Sequence, residues 1–220
     1  MNQIKAIVFD AYGTLFDVHT VASRCEQFFP GFGQTISEIW RQKQLEYSWL
    51  RSLMGRYENF WHVTEDALGF ALKSLGLNAN EEVRAAVLEE YLRLKPYPEV
   101  PQALQALRHH KLAILSNGTP NMLNAAVTNA GLTDAFSSVI SVDEVKSFKP
   151  LMGVYQLAPS KLHVRREEIL FISSNAWDAS GAKVFGFNVC WINRFGKTFE
   201  ELHVEPDLTI TGLDQLIEKL

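Results

Sequence analysis

Short apolar runs punctuate the chain, and helical patterns separate most of them. The first reads Ile4-Lys5-Ala6-Ile7-Val8-Phe9-Asp10. β-Branched and aromatic residues over so short a span predict a buried strand. Similar runs recur at Leu112 to Ser116, Val139 to Val142, Ile169 to Ser173, Val189 to Ile192 and Leu208 to Thr211. Thr119-Pro120 offers an N-cap and a proline at the first helical position, and Gly131 is placed to end that helix. A last helix is expected near Leu213 to Leu220, from Leu213, Leu216, Ile217 and Leu220. Near-continuous apolar strands alternating with helices predict an α/β fold, a parallel sheet covered on both faces.

Residues 17–96 break the alternation. They hold no convincing strand. Ile36, Ile39, Trp40, Tyr47, Leu50 and Met54 repeat at helical spacing, as do Leu68, Ala71, Leu72 and Leu75. Nine aromatics crowd between Phe28 and Trp61. The expectation is a helical subdomain, 17–96, inserted into a sheet domain formed by 1–16 and 97–220. Pro96, Pro98 and Pro101 mark the return.

Composition narrows the class. The chain has 220 residues, of which 47% are hydrophobic and 21% charged, an ordinary globular balance. A net charge of -4 argues against a broad nucleic-acid or anionic-membrane surface. No apolar run is long enough for a signal peptide or a membrane span, so a soluble cytoplasmic protein is expected. Cys25 and Cys190 are the only cysteines and lie far apart, which disfavours a zinc knuckle or a disulfide scaffold. The six histidines form no defensible metal site or triad.

In an open parallel sheet, ligands bind beyond the carboxyl ends of the strands. The polar residues there are Asp10 and Thr14, then Ser116-Asn117-Gly118, then Lys149-Pro150, then Ser173-Ser174-Asn175-Ala176-Trp177-Asp178. Taken singly, each has a plain explanation. An Asp after a strand is ordinarily a turn or cap residue, Ser-Asn-Gly a simple turn, Lys149 a solvated loop residue, and Asp178 a helix N-cap. Their concurrence at four strand ends makes those explanations poor.

Together these residues resemble the four motifs of the haloacid dehalogenase superfamily, in the same order. Phe9-Asp10-Ala11-Tyr12-Gly13-Thr14-Leu15 is similar to the first. Ser116-Asn117-Gly118, Lys149-Pro150 and the segment from Ser173 to Asp178 are similar to the others. In the helical insert, Trp40-Arg41-Gln42-Lys43-Gln44-Leu45-Glu46-Tyr47 resembles the cap segment of L-2-haloacid dehalogenases. The resemblance covers nearly the whole chain and implies a doubly wound, Rossmann-like core carrying a helical cap.

Most members of the superfamily are magnesium-dependent phosphoryl-transfer enzymes with a second Asp two residues after the nucleophile. Here that position is Tyr12, which cannot be a carboxylic general acid, and a departing halide needs no proton. Ser173, Ser174 and Asn175 stand where the phosphatase pattern has acidic residues. Magnesium favours several oxygen ligands, commonly carboxylates, so no metal and no cofactor are expected.

The resemblance implies an L-2-haloalkanoate and water as substrates and gives each residue a role. Asp10 would attack Cα with inversion and form an ester, which water then hydrolyses. Asp178 would orient or deprotonate that water. Lys149 would keep Asp10 ionised and help hold the substrate carboxylate with Ser116 and Asn117. Thr14, Ser173 and Asn175 would fix Asp10, with Tyr155 supporting the site. Arg41 and Asn175 would receive the halide. Ala11, Tyr12, Leu45, Phe60 and Trp177 would shape the apolar pocket, with Leu45 and Trp49 on the helical face of Arg41. Ala11 is smaller than is common among relatives, Leu151-Met152-Gly153 is less polar, and Pro159 should kink or end the helix carrying Tyr155. A homodimer is expected as well. Two alternatives stay open: a magnesium-dependent phosphatase with an eroded site, and a non-catalytic binder of small carboxylates.

Overall fold

A computed structural model describes residues 4–219. Six strands form one sheet: β1 (Ala6–Phe9), β2 (Lys111–Ser116), β3 (Ser138–Ser141), β4 (Ile169–Ser173), β5 (Asn188–Ile192) and β6 (Leu208–Ile210). Their spatial order is β3-β2-β1-β4-β5-β6, and every pair is parallel. This is the doubly wound order, in which the winding reverses between β1 and β4. β1 lies at the centre, with Ile7 paired to Leu112 on one side and Leu170 on the other. All four of its residues are closed to solvent, which explains their unbroken apolar run.

Two helical layers flank the strands through α5 (Val100–Ala106), α6 (Pro120–Asn129), α7 (Met152–Tyr155), α8 (Leu157–Leu162) and α9 (Ala176–Phe185). Thr119 caps α6 by accepting from the Met122 amide, and Gly131 follows its end at φ +68°. Pro159 divides α7 from α8 at Gln156, because it lacks the amide that the Tyr155 carbonyl would need.

The insert comprises α1 (Thr20–Phe28), α2 (Gly33–Leu53), α3 (Phe60–Ser74), α4 (Glu81–Leu88) and a 3-10 turn at Glu89–Leu92. Asn59 and Asn80 cap α3 and α4 through His62 and Val83 amides. Chain leaving the sheet pairs with chain returning to it: Asp17 donates to the Lys95 carbonyl at 2.8 Å and Tyr97 to the Leu15 carbonyl at 3.0 Å.

Two details differ from the sequence reading. On α2 the buried residues are Gly33, Ile36, Trp40, Gln44 and Ser48, while Leu50 and Met54 are exposed. Gln44 and Ser48 carry the buried stripe on past Trp40; Leu50 and Met54, each six residues further, fall about 240° around the helix. The C-terminal helix is only a 3-10 turn, Leu213–Leu216. Leu213 and Leu216 dock, but Ile217 is 42% exposed, so nothing holds a second turn; Leu220 lies outside the described residues. No described helix is long and apolar enough to cross a membrane.

Candidate active site

Asp10 follows β1 at the reversal point of the sheet, and its amide donates to the Ile172 carbonyl of β4. The loop then turns sharply. Gly13 sits at φ +85°, and a β-carbon there would lie 3.2 Å from Ser174 Oγ, so only glycine suits the turn. That turn brings Thr14 back under Asp10. The Thr14 hydroxyl donates to Asp10 Oδ2 at 3.1 Å and accepts from the Ser174 amide at 2.8 Å, tying the β1 loop to the β4 loop.

Asn175, at the N-terminus of α9, completes the hold. Its amide N–H donates to Ser173 Oγ, while its side chain donates to Asp10 Oδ2 at 2.9 Å and the Tyr12 carbonyl at 3.3 Å. Its Oδ1 is thereby left toward the insert, where Arg41 Nη2 approaches to 3.4 Å.

On the other side of Asp10 lies Lys149. Its Nζ is 3.1 Å from Asp10 Oδ1 and 2.9 Å from Asp178 Oδ2. Its backbone amide donates to Asn117 Oδ1, so the loop after β2 aims it. Burial pushes the Lys149 ammonium toward neutrality, but the two carboxylates outweigh burial and hold its pKa above the ordinary value. Asp178 is fully buried on α9. Burial, with the nearby Asp10 charge, pushes its pKa up to about 6 against the pull of Lys149 and Tyr155. Tyr155 donates to Asp178 Oδ1 at 2.8 Å. Burial and the Asp178 charge raise the Tyr155 pKa well above ordinary, so it remains a donor.

A cavity of about 510 Å³ opens between insert and sheet domain, with Tyr12, Arg41, Leu45, Tyr91, Ser174 and Asn175 on its wall. Asp10, 6% exposed, lies directly behind Asn175. Burial, then the Tyr91 and Asp10 charges, pushes the Tyr12 pKa far up, so this phenol is neutral. Among the described residues no three His, Cys, Asp or Glu side chains are placed to hold a metal. The position between Asp10 and Asp178 is taken by the Lys149 ammonium, so these residues do not fit the magnesium that some related folds carry.

The sequence pattern of haloacid dehalogenase-like hydrolases matches residues 4–186. The chain belongs to that family. It is 54% identical to an (S)-2-haloacid dehalogenase of Pseudomonas sp. (strain YL), over 99% of this chain and 95% of that one. It is 49% identical to haloacetate dehalogenase H-2 of Moraxella sp. (strain B), over 99% and 98%. The solved structure of L-2-haloacid dehalogenase from Xanthobacter autotrophicus with chloropropionic acid covalently bound superposes with a TM-score of 0.95, at 46% identity and 98% coverage of both chains.

In this haloacid dehalogenase-like hydrolase, Asp10, Thr14, Arg41, Lys149, Ser173, Asn175 and Asp178 form one connected hydrogen-bonded cluster. Tyr12, Arg41 and Leu45 lie on the cavity wall. The other residues expected at the pocket do not. Ala11 is fully buried, and its carbonyl accepts from Leu15 and Phe16. Ser116 Oγ accepts from the Gly118 amide, as short polar side chains in turns do, and Asn117 Oδ1 accepts from the Lys149 amide across the sheet end. Phe60 stacks behind Tyr12 at 6.1 Å, Trp177 meets Trp49 edge-on at 5.5 Å, and Tyr155 acts on Asp178. Ser174 and Gln44 join the cluster although the sequence reading gave them no role. The spacing of Gln44, three residues past Arg41 on one helix face, was the available signal.

Proposed function

We infer that the chain hydrolyses L-2-haloalkanoates to D-2-hydroxyalkanoates and halide. The observation that carries this reading is the Asp10 carboxylate, held by Lys149, Thr14 and Asn175 and linked through Asn175 to Arg41, with a neutral Tyr12 two residues on. The curated relatives named above and the covalently bound chloropropionic acid in the solved relative support it.

Asp10 attacks Cα opposite the carbon–halogen bond. The carbon–oxygen bond forms as the carbon–halogen bond breaks, the configuration inverts, and halide leaves with the bonding electrons. Arg41 receives that charge, helped by Asn175. Water then adds to the Asp10 carbonyl carbon, Asp178 taking its proton. The alkoxide is expelled, gains that proton and leaves as hydroxy acid. The second water proton passes to solvent, and Asp10 returns as the carboxylate carrying one water oxygen. Lys149 binds the substrate carboxylate and holds Asp10 in an ion pair at 3.1 Å, Ser116 and Asn117 maintain the loop behind it, and Ser173 seats Asn175.

Residues 17–96 serve as the cap over the core of 1–16 and 97–220. Admitting substrate to Asp10 takes rotation of that cap about the paired crossings at Asp17–Lys95 and Leu15–Tyr97. No metal or cofactor takes part. A homodimer is proposed, joined through exposed apolar residues of the cap such as Leu50, Leu53 and Met54; sedimentation showing only monomer would refute it. The reducing cytoplasm suits Cys25 and Cys190, both free and buried.

Incubation with each enantiomer of 2-chloropropionate in excess chelator tests the reading. Chloride should be released from the L form alone, with D-lactate as the product. Magnesium-dependent turnover of phosphate esters instead would favour a phosphatase. Saturable carboxylate binding without turnover would favour a binding protein.

A further inference from the structure

Gln44 is an unusual residue to find on α2 with no exposure to solvent. A buried amide is costly unless its donors and acceptor are used. Here the surroundings dictate which end faces which way. Thr64 Oγ donates its only hydrogen to the Phe60 carbonyl at 2.6 Å. Toward Gln44, 2.8 Å away, it can therefore only accept, so the Gln44 nitrogen must point at Thr64. Gln44 Oε1 is left facing Arg41, whose Nη1 donates to it at 2.8 Å. Thr64 is itself immobile: it has no solvent exposure, and its carbonyl accepts from Trp40 Nε1 at 2.8 Å.

The guanidinium thus lies between two amide oxygens of fixed orientation, Gln44 Oε1 on Nη1 and Asn175 Oδ1 on Nη2. The first contact is short and comes from the insert. The second, at 3.4 Å, is weak and comes from the sheet domain. When the halide departs, the second contact can open while the first keeps the cation in place. Gln44 carries no charge, so it orients Arg41 without neutralising it, as a carboxylate there would.

We propose that Gln44, oriented by Thr64, is a positioning residue that aims Arg41 at the departing halide and so sets how strongly the enzyme discriminates among halogens. This rests on the dehalogenase reading above. Stabilisation of the leaving group matters most where that group is poorest, so loss of the aim should slow chloride departure more than bromide departure.

The test compares wild type with Gln44→Met, which keeps volume and loses the side-chain hydrogen bonds to Arg41 and Thr64. The first-turnover burst of halide release is measured on L-2-chloropropionate and L-2-bromopropionate, with titration of each protein by sodium chloride and thermal unfolding to confirm the fold. The chloride burst should fall about tenfold. The bromide burst should fall clearly less, and inhibition by added chloride should weaken severalfold. A folded Gln44→Met with the wild-type bromide-to-chloride ratio and wild-type chloride inhibition overturns the proposal. If Gln44→Met does not fold, Thr64→Val and Thr64→Ser decide. The valine variant should raise the ratio and the serine variant restore it, and a valine variant with the wild-type ratio overturns the proposal equally. Wild type that releases no halide from either substrate would sink the dehalogenase reading itself, a separate and recognisable result.

Discussion

Lys149 Nζ and Asp178 Oδ2 lie 2.9 Å apart, with the two side chains 1% and 0% exposed. This ion pair is sealed from water, and a second carboxylate, Asp10, shares its ammonium. Burial, with a second carboxylate sharing the one ammonium, outweighs the pull of Lys149 and pushes the Asp178 pKa up to about 6. The same imbalance poises Asp178 as a base: ionised at neutral pH, yet basic enough to take a proton from water.

A pH profile follows from that value. Ester hydrolysis should rise as pH increases through about 6 and then level off. Stability should move the other way. The folded value lies above the ordinary carboxyl value of 3.8, so between them the unfolded chain has lost a proton that the folded chain keeps. Asp178 therefore costs stability as pH climbs through that window, and the cost is constant above it. Urea unfolding of wild type against Asp178→Asn across pH 4 to 8 isolates this contribution from other carboxylates. A gap between the two proteins that ignores pH would refute the assignment.

The two aspartates should fail in different ways. Asp10→Asn should give no halide at all, not even in the first turnover. Asp178→Asn should release about one equivalent of halide and then hydrolyse its ester roughly 10²- to 10⁴-fold more slowly. Intact-mass measurement should find the alkylated protein accumulating in the second variant only. Label from heavy-oxygen water should enter Asp10 of the wild type first. Multiple turnovers by Asp178→Asn at the wild-type rate would remove Asp178 from the role of base.

The Tyr155 hydroxyl donates to the Asp178 carboxylate at 2.8 Å. Its hydrogen bond favours the carboxylate form, so Tyr155→Phe should move the acidic limb of the profile to higher pH and leave the plateau largely intact. Gly181 tests the same contact from behind. A β-carbon there would sit 2.6 Å from the Tyr155 hydroxyl and 2.7 Å from Pro150 Cβ. Gly181→Ala should displace the tyrosine, shift the limb in the same direction and cost about 1–3 kcal/mol of stability. An unshifted limb in both variants would show that Tyr155 does not tune Asp178.

The strands were readable because a central parallel strand is apolar on both faces, and Ile7-Val8-Phe9 allows little else. The residues at strand ends were readable for a related reason: topology delivers Asp10, Lys149, Asn175 and Asp178 to one edge whatever their neighbours are. What periodicity could not give was the direction of side chains in turns. Ser116 and Asn117 occupy the expected loop, but their oxygens accept from the Gly118 and Lys149 amides. Nor could it distinguish a buried polar stripe from an exposed apolar one on α2. There Gln44 is interior and Met54 is 62% exposed, an inversion that partners from α3 explain and hydropathy does not.

Removing the shared cation is the most severe single change expected. Lys149→Met keeps most of the apolar stem but removes the ammonium, which lies 4.9 Å over the Phe171 ring, and leaves Asp10 and Asp178 buried without a counter-charge. Breaking a buried pair in this way costs about 3–5 kcal/mol. Activity should vanish, but that alone would not separate a structural from an electrostatic cause. The pH dependence does. Without Lys149 the proton on Asp178 is held more tightly, so low pH relieves the repulsion that high pH imposes. Urea unfolding at pH 5 and pH 8 should find the variant much closer to wild type at pH 5. Adding Asp178→Asn to Lys149→Met should recover part of the loss at pH 8, since one buried anion has gone. An equal deficit at both pH values, unrelieved in the double variant, would mean that Lys149 contributes packing rather than charge balance.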